Sequence, residues 1–492
     1  MKTSLLKIAA GLILLTAFFN SAEAQNEPAR REGEIWFEPT KLNVGGQAYE
    51  GERGHLMVRE NRKNPNSNLI ELVFVRLKST TDKPGYPTVY LDGGPGSSAT
   101  GIANIPDYMR AFHKLREVGD LILLDQRGVG RSKPNLSHLA SASLPLDVFA
   151  DREVALRTFK ERAKAAADYF RSKGIDILAY NSIESANYVD DLRKALGAEK
   201  LNLVGFSYGT HLGLACLRYH GKNLNRVVLV GTEGPDHTDK LPSTSDASIR
   251  RLSAIVAKDP ELGPKMPDLT GTLKRILDRL EKGPVTVTIT DQRSKKPVDV
   301  KVGKMGLQFL IMRDLGDTND LPVFPLWFYT MDQGDYSILK RFVERRYNQF
   351  GGGVSVMTLV MDISSGVSKA RKKQIQNEAR TALLGDIVNF PISEMGDVFG
   401  NPDLGDAYRS PIKTDVPTLF FSGVLDNNTQ PFQADEVRKT FKNSTHIVID
   451  NAGHESMVVD PQVQQAMVQF LRGEDVSKVK IALPALKFQS LP

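Results

Sequence analysis

The chain has 492 residues, of which 41% are hydrophobic, 25% charged and 8% aromatic, with 40 Gly and 26 Pro. This composition excludes collagen-like, coiled-coil and wholly disordered architectures, and the length predicts two structural units or one large α/β domain carrying an insertion. The 64 Lys and Arg against 58 Asp and Glu leave a formal charge of +6 with no long basic run, which argues against nucleic acid as a partner. A single cysteine, Cys216, excludes an intramolecular disulfide, and its apolar surroundings (Leu212, Leu214, Ala215, Leu217) read as those of a buried hydrophobe, not a catalytic thiol.

Residues 1–24 read as a secretory signal. Lys2 and Lys7 precede an apolar run from Ile8 to Phe19, and Ala22-Glu23-Ala24 offers the small side chains that signal peptidase cleaves after, so the mature chain would begin near Gln25. No later stretch approaches the roughly 18 apolar residues of a membrane span, so no stable membrane insertion is expected after cleavage. The expected location is the periplasm or the medium.

From about residue 53 to 235, short β-rich runs alternate with helical patterns, the texture of a mostly parallel α/β sheet with helices on both faces. Strands are predicted at Leu56–Val58, Leu69–Leu77, Thr88–Leu91, Leu121–Leu124, Leu201–Val204 and Val227–Val230. Ile183, Ala186, Val189, Leu192 and Leu196 recur at helical spacing before Gly197. The stretch 236–400 is mainly helical in pattern, with faces at Ile249, Leu252, Ile255 and Val256 and at Leu273, Ile276, Leu277 and Leu280. Inside it, alternation at Val285, Val287 and Ile289 and at Val298, Val300 and Val302 predicts a β-hairpin. Strands return at Thr418–Ser422 and His446–Ile449, followed by a helix opening at Asp460-Pro461. The expected layout is a sheet domain over 25–235 and 401–475, interrupted by a cap at 236–400 and followed by a tail at 476–492.

Gly205-Phe206-Ser207-Tyr208-Gly209 joins the apolar run Leu201–Val204 to a helical pattern beginning at Thr210, which is the setting of a nucleophile elbow. The turn is so tight that side chains flanking the serine would collide, hence the glycines. The rival reading is a structural turn serine. A nucleophilic serine on such a sheet needs an acid and then a base later in the chain. Of eight histidines, only His454, in Asn451-Ala452-Gly453-His454-Glu455, lies just past a late strand; His211 points along the nucleophile helix and reads as structural or pocket-lining. Asp426, in Ser422-Gly423-Val424-Leu425-Asp426, ends the preceding strand as the acid should, its alternative being an Asx-turn residue. Backbone donors for an oxyanion would come from Tyr208 and from Gly94 in Asp92-Gly93-Gly94-Pro95-Gly96. A dinucleotide loop through Gly94, Gly96 and Gly101 fits poorly: the spacing is too long and Pro95 lacks an N–H. No metal-type cluster appears, and no cofactor is implied.

These motifs together resemble the α/β-hydrolase fold, and within it the serine aminopeptidases of the prolyl iminopeptidase and tripeptidyl aminopeptidase group. Asp92–Gly96 is similar to that group's x-Gly-Gly-Pro-Gly loop, Asp125-Gln126-Arg127-Gly128-Val129-Gly130-Arg131-Ser132 to its D-Q-R-G-x-G-x-S segment, and Gly205–Thr210 to its G-x-S-Y-G-T elbow. Glu60-Asn61-Arg62-Lys63-Asn64-Pro65 resembles the E-N-R-x-x-P stretch of tripeptidyl-type members. Position 92 departs, carrying Asp where prolyl iminopeptidases usually have His. The resemblance implies release of N-terminal residues from short peptides, with carboxylates to hold the substrate's ammonium; Glu233 and Asp362 are the candidates, each also readable as an ordinary loop or capping acid. A carboxylesterase with the same three residues is the alternative activity, and a non-catalytic binding protein on this scaffold the alternative class.

Overall fold

The computed structural model describes residues 30–316 and 318–491. The predicted signal segment lies outside the described residues. The strands in chain order are β1 (Ile35–Val44), β2 (Gln47–Arg59), β3 (Leu69–Leu77), β4 (Thr88–Leu91), β5 (Leu121–Leu124), β6 (Ser137–Leu139), β7 (Leu201–Phe206), β8 (Leu224–Val230), β9 (Val285–Asp291), β10 (Lys296–Val302), β11 (Gly353–Ser355), β12 (Thr418–Gly423) and β13 (Ser444–Ile449).

Nine of these form one sheet in the order β1-β2-β3-β5-β4-β7-β8-β12-β13. From β5 to β13 every neighbouring pair is parallel, while β1, β2 and β3 add an antiparallel edge. The central strands are apolar at successive positions because both faces are covered: Leu121 and Leu123 point into one buried cluster, Ile122 and Leu124 into the other. Helices Arg152–Ser172, Ser182–Ala195 and Tyr208–His220 cover the second face, and helices Pro106–Leu115 and Pro461–Leu471 the first.

The edge differs from its prediction. The strand expected at Leu56–Val58 is the end of β2, which pairs with β1 along its length, Val44 opposite Gln47 through Ile35 opposite Leu56. These two strands are half exposed and rich in charged residues, so their hydrophobic signal is weak. Helix Arg152–Ser172 buries mostly alanines, Ala155, Ala163, Ala166 and Ala167, which likewise leaves little hydrophobic contrast.

A separate apolar cluster fills the helical unit above the sheet, with Leu252, Leu273, Ile276, Trp327 and Phe342 at its centre and the β9–β10 hairpin on its flank. Its membership cuts across the expected 236–400 boundaries. Leu144, Val148 and Phe149 join it from before the insertion. Helix Val356–Ser365, inside the insertion, instead buries Val356, Met357, Val360 and Met361 in the sheet-domain cluster. Gly128 (φ +79) makes room for it: a Cβ there would lie 3.0 Å from the Met357 Cβ. The segment 476–492 packs as well: Val476 and Ile481 reach the sheet core and Leu491 the helical core. Among the described residues, no helix is long and apolar enough to cross a membrane.

Candidate active site

Ser207 stands between β7 and helix Tyr208–His220 at φ 52, one of few non-glycine residues with positive φ among those described. An L-residue is strained in this region, and the surroundings hold it there. Its amide donates to the Val230 carbonyl at 3.0 Å, and its carbonyl accepts from Thr210 Oγ1 at 2.6 Å. The flanking glycines are obligatory, because a Cβ on Gly205 would fall 2.4 Å from the Gly209 oxygen and one on Gly209 would fall 1.9 Å from the Leu91 oxygen. The start of the helix points its amides toward Ser207, which favours developing negative charge there.

Asp426 and His454 meet beside this turn, with His454 Nδ1 2.8 Å from Asp426 Oδ2. The Asx-turn reading of Asp426 and its pairing with His454 coexist: Oδ1 accepts from the amides of Asn428 (2.7 Å) and Thr429 (3.0 Å), while Oδ2 serves His454 and the Thr429 hydroxyl. Burial opposes ionisation of Asp426, but attraction to His454 and these hydrogen bonds outweigh it, so the carboxyl ionises below its ordinary range. For His454 burial opposes the imidazolium and Asp426 favours it, with the balance above the ordinary imidazole value. The ring is held by its own amide, which donates to the Gly316 carbonyl at 3.0 Å, and lies against Phe206 with centroids 4.9 Å apart. Gly231, at φ +65, is small of necessity, since its Cβ would fall 2.8 Å from Thr429 Oγ1 and 3.3 Å from His454 Cε1.

The Asp92–Gly96 loop leaves β4 and runs past Ser207; a Cβ on Gly93 would sit 2.9 Å from the Ser207 Cβ. Gly94 and Gly96 both take φ +110. The Asp92 carboxyl is buried and turned into the fold, accepting from the hydroxyls of Tyr90 and Ser97, so the residue that departs from the family pattern is structural. Thr358 Oγ1 donates to the Pro95 carbonyl at 2.7 Å, tying helix Val356–Ser365 to this loop.

Ser207 and Gly94 line a cavity of about 230 Å³ that also takes in Glu233, Asp239, Lys240, Arg313 and Asp362. The two carboxylates nominated from sequence therefore face the same space as the serine. They are not equivalent. Glu233 is ion-paired with Lys240, and although burial raises its pKa, Lys240 and His211 bring it below the ordinary value. Asp362 makes no hydrogen bond or ion pair through its carboxyl among the described residues; burial, then the like charge of Glu233, drives its pKa well up. Sequence reasoning missed Asp239, Lys240 and Arg313, which belong to no motif. The only hint at Arg313 is a cation closing an otherwise apolar helical run, Leu307 to Met312 without Gln308.

His211 lies beneath the site, with Nε2 2.6 Å from the Tyr408 hydroxyl and Nδ1 3.2 Å from the Gly234 carbonyl. Arg127 is fully buried and ties together two distant segments, donating at 2.8 Å to the carbonyls of Glu60 and Ala179. Cys216 is buried in the helix behind Ser207, where burial pushes its thiol far up and out of reach of catalysis.

A serine on a strained strand-to-helix turn, beside a parallel sheet with an inserted helical unit, defines an α/β-hydrolase, and the chain has that fold. Residues 87–275 match the family described as alpha/beta hydrolase fold. Residues 403–478 match the family described as TAP-like protein, in keeping with the resemblance to the prolyl iminopeptidase and tripeptidyl aminopeptidase group. The chain is similar to the serine protease Hip1 of Mycobacterium tuberculosis, 28% identical over 189 residues that cover 37% of this chain and 36% of that protein. It is also similar to the tripeptidyl aminopeptidase of Streptomyces lividans, 26% identical over 199 residues that cover 38% of this chain and 34% of that one. The matched segments thus span about a third of the length of these relatives. A solved proline iminopeptidase from Mycobacterium smegmatis aligns over 89% of this chain and 98% of its own at 14% identity, with a TM-score of 0.40.

Proposed function

We propose that this chain is an exported serine peptidase that releases N-terminal residues from short peptides through an acyl-enzyme. The observation that carries the reading is the carboxylate-bearing cavity that opens on Ser207 next to the Asp426–His454 pair. Ser207 Oγ attacks the peptide carbonyl, and His454 accepts its proton through Nε2, the nitrogen left free by the bond from Nδ1 to Asp426. The amides of Tyr208 and Gly94 hold the oxyanion. His454 then gives the proton to the leaving amine, and water taken up by the same base releases the acyl fragment. Asp362, with no partner of its own, holds the substrate ammonium, with Asp239 close enough to raise the local negative potential.

Support for peptide over ester comes from the carboxylates: an ammonium-bearing substrate needs them, and a simple acyl ester does not. The test is a panel on the purified protein, consisting of a tripeptidyl anilide with its amine free and then blocked, a prolyl anilide, and a short-chain nitrophenyl ester, each repeated with Ser207→Ala. Cleavage of the free tripeptide, lost on blocking the amine and lost with Ser207→Ala, is the expected result. Turnover of the ester alone would assign a carboxylesterase.

A further inference from the structure

The cavity carries a cation that acyl transfer at Ser207 does not require. Arg313 lies near the end of helix Lys304–Asp314 and lines the space with Ser207 and Asp362. Its guanidinium is solvent-accessible yet enclosed by protein, as a side chain projecting into a deep cleft is. The guanidinium carbon lies 5.1 Å from the Phe309 ring centroid and 5.6 Å from that of Phe350, within cation–π range of both. Among the described residues it makes no hydrogen bond and no ion pair. Of the neighbouring carboxylates, Asp314 is committed to Arg345 and Arg346 and Glu233 to Lys240, while Asp362 attracts Arg313 within the cavity without pairing with it. Burial, with the like charge of Arg346, pushes Arg313 down to about 10, which leaves it cationic at neutral pH. A guanidinium that lines the cavity with no hydrogen bond or ion pair is available to an anion that enters it.

Its position says which anion. Three residues beyond Arg313, the Gly316 carbonyl takes the His454 amide, and the adjacent Met312 sulfur lies 3.5 Å from Asn427 Nδ2, beside Asp426. Arg313 therefore belongs to the His454 side of the site. Asp362 belongs to the other side, on the helix whose Thr358 holds the Gly94 loop. In acyl transfer the leaving amine departs past the imidazole, while the acyl part stays with the oxyanion donors. A peptide laid across the cavity has its amino-terminal fragment toward Asp362 and its leaving fragment toward Arg313. We infer that Arg313 binds the terminal carboxylate of the leaving fragment, so that the enzyme selects short peptides with a free C-terminus over C-terminally blocked ones. This deepens the peptidase reading and rests on it, and the cavity of about 230 Å³ leaves room for a short leaving fragment only.

The test uses 4-nitrophenyl acetate hydrolysis as the readout and dialanine, as free acid and as amide, as competing ligands. The acid is expected to inhibit the wild-type protein about tenfold more tightly than the amide, with the difference shrinking at high salt. In Arg313→Met, which keeps an apolar stem against Phe309 and Phe350, the two should inhibit alike; Arg313→Lys should retain a reduced preference. Equal inhibition by acid and amide in the wild type, or a preference that survives in Arg313→Met, would overturn the assignment. Parallel cleavage of a tetrapeptide acid and its amide separates the two ideas. Acid-selective inhibition without cleavage of either peptide sinks the peptidase reading but upholds a carboxylate site, whereas cleavage of both at equal kcat/KM, with equal inhibition, removes Arg313 and keeps the peptidase.

Discussion

Lys240 Nζ is bonded to Glu233 Oε2 inside the cavity that Ser207 opens on, so one of the two carboxylates nominated for amine binding already holds an amine of the protein's own. Glu233 thereby becomes part of the cavity wall, and on the proposed reading the substrate's ammonium falls to Asp362.

That pairing has a stability consequence. Lys240→Met leaves Glu233 buried beside Asp239 and Asp362 without its counter-charge, at an expected loss of about 3 kcal/mol near neutral pH. In the wild type Glu233 is held below its ordinary pKa, so its contribution is present above the usual glutamate value and is lost as pH falls through the depressed one. In the variant burial lifts the pKa instead, ionisation is penalised, and the deficit should shrink toward about pH 5. Urea midpoints at the two pH values decide it; an equal deficit at both would mean the loss is packing, not charge.

On the proposed mechanism the Asp426–His454 pair should set the acid limb of activity. His454 must be neutral to accept the Ser207 proton, and Asp426 holds its pKa above the ordinary value of about 6.5. Activity should therefore rise with pH along a limb centred above that value in kcat/KM. Asp426→Asn is expected to lower the centre and cut kcat by about 10⁴-fold. A limb that does not move in the variant would assign it to another group.

Asp362 should give KM its own pH dependence. Its carboxyl must be ionised to hold an ammonium, and burial with the nearby Glu233 raises its pKa well above the carboxylate range. KM for free-amine peptides should fall as pH rises through that titration, until the substrate amine loses its proton near about pH 8. N-blocked substrates should lack this fall. Asp362→Asn should flatten it and raise KM for free-amine peptides by about tenfold, whereas a slope that persists in the variant would point to Asp239.

The backbone of Ser207 carries a strain that glycine would not. Ser207→Gly and Ser207→Ala should both lose activity by about 10⁴-fold or more, but the glycine variant should be about 1 kcal/mol more stable than the alanine one, because φ 52 costs an L-residue and not glycine. Guanidinium unfolding of the two variants side by side measures the difference.

What could be read from the sequence follows from how local the cause is. β4 and β5 keep their predicted limits because every residue in them is buried, and β3 keeps its limits through its buried apolar residues although Glu71 and Arg76 interrupt the run. The elbow was legible because a turn of that tightness forces Gly205 and Gly209, whatever the rest of the chain does. Asp426 and His454 could be nominated because each closes a strand in a sheet whose order dictates where such residues stand. β1 and most of β2 were hidden by their exposure and charge, and helix Arg152–Ser172 by its alanines. The cavity charges were hidden for a different reason. Asp239, Lys240 and Arg313 act through which segments the fold brings together, and no spacing along the chain records that Lys240 turns back onto Glu233 or that Arg313 faces Asp362.

The pairing of β8 with β12, Val227 opposite Thr418, joins strands separated by the whole segment 231–417. Closing so long a loop is slow and entropically costly, so this junction belongs to the late events of folding. Ser207 lies on one side of it and both Asp426 and His454 on the other. A chain with this arrangement has no nucleophile worth the name until its sheet is complete. On the proposed reading, half-made copies are inert, and activity arrives only with the finished fold.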